Sequence, residues 1–280
     1  MKIKVLKALI LFLTLMLFLS CCCRDEISQA RNYLIENVKN PTVSSTGGEW
    51  TVIALCKSGG IDENYKNIYL SNLKQLLNAN DGIIHSKKST EYSRVVLALC
   101  ALCVNPYNFE GYNLVLPLSD YDFVVQQGIN GAVYALLALN CAQYNDEDFK
   151  NRLIEYILSN QNDDGGFCIS GNVSEPDITA SAIRALESFC YYKKVKDCVD
   201  RASESLRKMQ QDGYFTLYGV QSSESISQAI MAFSVLGDDD MVKKLKQSLK
   251  AFKKDGGYCH VQNTQASVFS TEQALMALSY

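Results

Sequence analysis

Carboxylates gather where apolar stretches begin. Glu49, Glu91, Asp177, Glu224 and Glu272 each stand near the start of such a stretch. Polar and aromatic residues keep them company: Trp50, Tyr92, Arg94, Asn130, Tyr134, Thr179, Gln228 and Gln273. Aromatic faces beside carboxylates and amides suit a neutral or cationic polar ligand, such as a sugar or a corrinoid. Two acids facing each other across a cavity, about 5–10 Å apart, would suit glycoside hydrolysis. The plainer role for an acid at a helix start is to complement the helix dipole, worth about 0.3–1 kcal/mol each.

Other chemistries find less to work with. The histidines are His85 and His260, and the Cys259-His260 adjacency is poor geometry for two ligands on one metal. Cys100 and Cys103 sit in an apolar run without two further ligands, so neither a metal nor a cofactor is expected. No Gly-x-Ser-x-Gly elbow, phosphate-binding loop or dinucleotide fingerprint occurs. Of the 11 cysteines, three form the run Cys21-Cys22-Cys23. The rest are expected to be mostly free thiols, with Cys56, Cys100, Cys103 and Cys141 acting as small buried hydrophobes. A net charge of −3, with both signs interspersed, leaves no basic stripe for nucleic acid.

The elements that must position these residues are internal repeats. Val52-Ile53-Ala54-Leu55 recurs as Val96-Leu97-Ala98-Leu99, Leu136-Leu137-Ala138-Leu139, Ile183-Arg184-Ala185-Leu186, Ile230-Met231-Ala232-Phe233 and Leu275-Met276-Ala277-Leu278. The spacings are 44, 40, 47, 47 and 45 residues, the mark of a repeat architecture. Between these segments lie helices with one wet side. Their apolar stripes are Ile27 to Val38, then Ile68, Leu70, Leu73, Leu76 and Leu77, then Phe149 to Leu158, Val195 to Met209, and Met241 to Phe252. The third repeat has only a stub, placed around Tyr112 to Leu118 and interrupted by Pro117. A helix apolar all round must be buried all round. Six such helices achieve this inside a ring of six amphipathic ones. The expected fold is therefore all-α, an (α/α)6 toroid of six helix hairpins. Its turns read Asp164-Gly165-Gly166-Phe167, Asp212-Gly213-Tyr214 and Asp255-Gly256-Gly257-Tyr258, with Asp81-Gly82-Ile83 as a degenerate copy. Glycine supplies positive φ there, and the aromatic tucks into the core.

The first residues differ in kind. Lys2, Lys4 and Lys7 precede an apolar run from Ala8 to Leu19, which is short for a membrane span of about 20 residues. The run ends Phe18-Leu19-Ser20-Cys21 and resembles a bacterial lipoprotein signal. The resemblance implies a signal peptide over residues 1–20, lipidation at Cys21, a tether over 21–24 and a toroid over 25–280. An uncleaved single-span anchor is the alternative. Either places the toroid on the extracytoplasmic face of a bacterial cell membrane.

Gln161 to Phe167, followed by Pro176-Asp177-Ile178-Thr179-Ala180, resembles the repeat of the prenyltransferase and squalene-cyclase α/α-toroid superfamily, and the likeness spans residues 25–280. Gly47-Gly48-Glu49-Trp50 and Gln127-Gly128-Ile129-Asn130-Gly131 are similar to phrases of secreted bacterial toroid proteins, which resemble the helical barrel of cobalamin carriers. Against the cyclases, Asp177 falls at the proton-donating aspartate, but its neighbours Ile178 and Glu175 break the acidic cluster. Asp177 is then either a catalytic acid or a cap on its helix. The zinc ligands of the prenyltransferases and the Gly-Cys-Gly-Glu-Gln string of thioester domains have no counterpart. The expected function is a lipid-anchored module that binds a small molecule or a protein at the mouth of the central cavity. Its contacts would be Glu49, Trp50, Glu91, Tyr92, Arg94, Asn130, Tyr134, Asp177, Glu224, Gln228 and Glu272. The alternatives are a toroid-class enzyme, either prenyltransferase- or terpene-cyclase-like or an acid-pair glycosidase or lyase, and a protein–protein scaffold.

Overall fold

A computed structural model of the protein describes residues 25–217 and 219–280, so the signal segment, the tether and Cys21 lie outside the described residues. Helix α1 (25–37) is followed by α2 (Glu49–Lys57), α3 (Glu63–Ala79), α4 (Ser89–Ala101), α5 (Tyr121–Val125) and α6 (Gly128–Cys141). Then come α7 (Glu147–Ser159), α8 (Pro176–Leu186), α9 (Lys193–Met209), α10 (Ser223–Val235), α11 (Asp239–Leu249) and α12 (Val268–Leu278). The even-numbered helices pack each on the next, and α12 packs back on α2. The ring is closed, and the chain is an all-α toroid of six hairpins.

The repeated alanine explains the close inner ring. Ala54, Ala98, Ala138, Ala185, Ala232 and Ala277 are all buried, and a small side chain lets neighbouring helices approach to interior packing density. The following residue fills the space toward the outer ring: Leu55, Leu99, Leu139, Leu186 and Phe233 are buried too. The outer helices start where short polar side chains accept from free N–H groups. Asp62 accepts from Asn64 and Tyr65, Asp146 from Phe149, and Asp238 from Met241. In α3 the buried stripe runs through Tyr65, Tyr69, Leu73 and Leu77, rather than through Ile68 and Leu70. Tyrosine is preferred there because the Tyr69 hydroxyl reaches a buried carboxylate, donating to Glu49 Oε1 at 3.3 Å.

Two expectations need correction. The stub of the third repeat is a 3-10 turn, Leu116–Ser119, followed by α5. Pro117 opens that turn rather than interrupting a helix, since its missing N–H costs nothing at a first turn. The late turns are also not bare helix ends. Strands β1 (Gln210–Gln211), β2 (Tyr214–Leu217) and β3 (Val220–Gln221) form one antiparallel sheet, and β4 (Lys253–Lys254), β5 (Gly257–Cys259) and β6 (Ala266–Ser267) form another. Asp212-Gly213 and Asp255-Gly256 are the two-residue hairpin loops, with φ of 52° and 90°, and 47° and 83°, as tight hairpins favour. Strand alternation then decides which aromatic is buried. Phe215 is fully buried and Tyr214 only partly, so Phe215 is the counterpart of Phe167 and Tyr258.

Candidate functional site

The inner helices run parallel around the lumen, and every third or fourth residue faces it. Trp50, Thr90, Glu91, Arg94, Asn130 and Tyr134 line a recess of about 240 Å³ at the starts of α2, α4 and α6. The Trp50 and Tyr134 rings meet with centroids 5.9 Å apart and planes tilted by 60°. Glu91 is ion-paired with Arg94 one turn along α4, and the Arg94 Nε lies 4.0 Å from Glu49 Oε2. Of the eleven residues expected at the mouth, the structure brings Trp50, Glu91, Arg94, Asn130 and Tyr134 together. Thr90 joins them, a residue that sequence reasoning passed over.

The other expected contacts sit elsewhere. Tyr92 is buried between the rings, edge-on to Phe123 with centroids 5.9 Å apart, and its hydroxyl accepts from the Ile84 N–H at 3.1 Å. It lines a lateral recess of about 320 Å³ beside Pro117 and His85. A helix gives successive residues different faces, so Tyr92 and Arg94 cannot both look inward.

Glu49 and Glu272 are fully buried, and they organise the seam where the ring closes. Glu49 Oε1 accepts from the Ser44 N–H at 3.0 Å. Glu272 Oε1 accepts from the Gly47 N–H at 3.1 Å and from the Thr51 hydroxyl. Burial pushes both carboxyls toward their protonated forms, Glu272 up to about 7, against these hydrogen bonds; the charge of Glu49 adds to the rise at Glu272, while at Glu49 Arg94 opposes the rise and Glu91 adds to it.

Glu224 is buried on the far side, where Ser270 donates to it and His260 Nδ1 lies 2.7 Å away. Gln228 spans α8 to α12. Its Oε1 accepts from Arg184 at 3.1 Å, and its Nε2 donates to Gln273 Oε1 at 2.7 Å.

Asp177 does not cap α8. The position before the helix is Glu175, and the Asp177 side chain is paired with the Ser225 hydroxyl. Its Oδ1 is buried with no hydrogen-bond partner, and burial raises its affinity for a proton. A carboxyl that holds its proton more tightly has the form of a general acid, but this one faces α10 rather than the recess at Trp50.

A second lumenal space opens at the opposite ends of the inner helices, with a volume of about 360 Å³. Trp50 belongs to both spaces and is the partition between them. Cys56, Cys100 and Cys141 line this second space, and Cys103 lies exposed nearby. They are therefore not the sealed hydrophobes expected: Cys141 and Cys103 are exposed, Cys56 and Cys100 half-buried. Their helices end at the lumen rather than in packed core. The eight described cysteines are all free thiols, and no group of three or more metal-ligating side chains occurs among the described residues. Arg184 also faces this space. It had a signal in the sequence, being the one cation inside the repeated apolar segment.

No family model matches the chain, and no curated protein matches it. Among solved structures, it is similar to a UGL variant with dGlcA-Glc-Rha-Glc, at 12% identity and a TM-score of 0.60, covering 91% of this chain and 95% of that one. It is also similar to an unsaturated glucuronyl hydrolase mutant from Streptococcus agalactiae complexed with dGlcA-GalNAc6S, at 11% identity and a TM-score of 0.63, covering 92% and 90%. A third is ent-copalyl diphosphate synthase from Streptomyces platensis, at 16% identity and a TM-score of 0.51, covering 82% of this chain and 48% of that one. At such identities the likeness is one of fold, and the fold is the α/α toroid that the closed ring of inner helices already shows.

Proposed function

We propose that the protein acts on a glycan bearing an acidic sugar, by hydrolase or lyase chemistry, at the recess of α2, α4 and α6. One observation carries the reading: an aromatic face, a guanidinium, a carboxylate and an amide converge on one recess that is open at the surface. Trp50 offers the sugar ring a stacking surface, and Arg94 offers its carboxylate a two-pronged donor. Asn130 and Thr90 are within the same lining for hydroxyls. Glu91 is the carboxylate placed to move a proton, and an incoming acidic sugar would compete with it for Arg94. The full-length similarity to structures carrying dGlcA-containing oligosaccharides supports the substrate class. Fold alone does not carry an activity, so the recess is what the proposal rests on.

The test uses saturated and unsaturated uronyl oligosaccharides, with release of reducing ends as the readout. Glu91→Gln is expected to lower kcat by about 100-fold or more, as loss of a proton-transfer group does, while Arg94→Gln raises KM. Turnover unaffected by either variant would sink the proposal, as would no turnover together with no thermal shift.

A binding module without turnover is the second reading. It is favoured by the sealing of Glu49 and Glu272, which leaves Glu91 as the one carboxylate lining the described recess. Its mark would be a melting point raised by a uronyl oligosaccharide, a neutral oligosaccharide or a cobalamin, lost in Trp50→Ala, with no product formed.

We further propose that the toroid is displayed on the extracytoplasmic face of a bacterial membrane through a lipid on Cys21. A mature N-terminus at Cys21 carrying acyl mass is the expected result of mass spectrometry on the native protein. A free Met1 would overturn it.

A further inference from the structure

The space at the C-terminal ends of the inner helices is separate in lining and chemistry from the recess above, sharing only the Trp50 partition. Its walls are mostly apolar, with Ile53, Leu97, Met231 and Met276 among them. Its rim is cationic. Lys57 and Arg184 both approach Tyr280, and the Lys57 ammonium lies 3.0 Å from the centroid of that ring. Neither cation makes an ion pair with a carboxylate among the described residues. Arg184 gives one N–H to Gln228, and its Nε is buried without a partner. Two positive groups thus converge on a single phenol. Burial pushes the Tyr280 phenol up, but Arg184 and Lys57 outweigh it and hold the group below its usual range. The place of the phenol oxygen is one where negative charge is favoured.

We propose that this space is a second binding site, and that its ligand is the anion of a medium-chain carboxylic acid. The carboxylate would lie between Lys57 and Arg184, displacing the phenol, and the alkyl chain would run down the lumen toward Trp50. The size agrees. At roughly 30 Å³ for each water-sized group, 360 Å³ holds about a dozen heavy atoms, which is the number in decanoate. Burial of the alkyl chain against these apolar walls favours binding, while the unpaired guanidinium N–H gains an acceptor it lacks. Methionine at Met231 and Met276 fits a flexible chain, because its thioether adapts to irregular shapes.

Calorimetry with decanoate, decanol, decyl phosphate and decyltrimethylammonium tests the charge and the head group. Decanoate is expected to bind at least about tenfold tighter than decanol, as a charge-assisted contact provides, and the ammonium not at all. Lys57 is exposed, so Lys57→Gln leaves the fold intact, and it should remove about tenfold of the decanoate affinity while leaving decanol unchanged. Saturating decanoate should also slow alkylation of Cys141, which lines the space, while Cys190, outside it, reacts as before. Equal affinity for decanol and decanoate would overturn the anion assignment. A tighter complex with decyl phosphate would replace the carboxylate by a phosphate monoester. Decanoate binding without protection of Cys141, or no binding at all, would overturn the site.

Discussion

At pH 8 the Glu272→Gln variant is expected to be more stable than the parent by up to about 3 kcal/mol, and at pH 4 to match it. The carboxyl of Glu272 ionises at about 7 instead of 4.5, because burial outweighs the hydrogen bonds from Thr51 and Gly47. Each tenfold in proton affinity is worth about 1.4 kcal/mol, so ionising it costs the folded state about 3 kcal/mol relative to the unfolded chain. The sign follows from proton counting. Below 4.5 both states hold the proton, and the carboxyl exacts no penalty. As pH rises toward 7 the unfolded chain releases its proton first, and stability falls. Above 7 the penalty is complete. Glutamine keeps the oxygen that accepts from Gly47 and Thr51, and its amide nitrogen takes the place of Oε2, which has no partner in either case. The difference would appear as roughly 6–10 °C in melting temperature for a chain of this size. Urea melts at pH 4, 6 and 8 measure it. Glu49 and Asp177 are pushed the same way, so the variant retains a shallower decline of its own. An identical pH profile in parent and variant would show that the seam carboxyl stays charged at no cost.

The second large effect separates two neighbouring aromatic residues. Phe215→Ala is expected to cost about 3–5 kcal/mol, the range for emptying a fully buried aromatic site, whereas Tyr214→Ala should cost less than about 2 kcal/mol. Phe215 is fully buried between α9, α10 and the hairpin of β1 and β2, in the position held by Phe167 in the fourth repeat and Tyr258 in the sixth. Tyr214 faces the other side of its strand and touches Phe252 at a centroid distance of 6.3 Å. Denaturant midpoints of the two variants decide the matter. Equal costs would mean that the hairpin register is not as described.

This pair also shows where sequence reasoning stops. Taking the aromatic next to glycine selects Tyr214, while counting three residues on from the aspartate selects Phe215, opposite Phe167 and Tyr258, and the pattern alone does not choose between them. A hairpin alternates its faces with period two, and whether the turn is a hairpin or a plain helix end depends on strands supplied from elsewhere, β3 and β6 among them. The mouth is similar. Helix starts are legible from acids before apolar runs, and five of the residues read from them, Trp50, Glu91, Arg94, Asn130 and Tyr134, line one recess. Tyr92 was assigned there by proximity in sequence, and lies between the rings because its rotation about α4 is set by the neighbours α4 packs against.

What the chain alone determined is the architecture. Six apolar segments at a near-constant period, alternating with two-faced ones, have one economical way to leave water, and the small residue in every copy permits the tight inner ring. Only the tertiary structure decided which carboxylates line the recess and which are sealed in the core. Glu49 and Glu272 read like Glu91, yet closing the ring brings the last repeat against the first, and these two are sealed into that joint by the N–H groups of a loop more than two hundred residues distant from Glu272 in sequence. The same closure turns Arg184, Lys57 and Tyr280, far apart along the chain, into one rim. Periodicity is a local property and can be read along a sequence, but burial and charge at a lumen are sums over every helix that surrounds it.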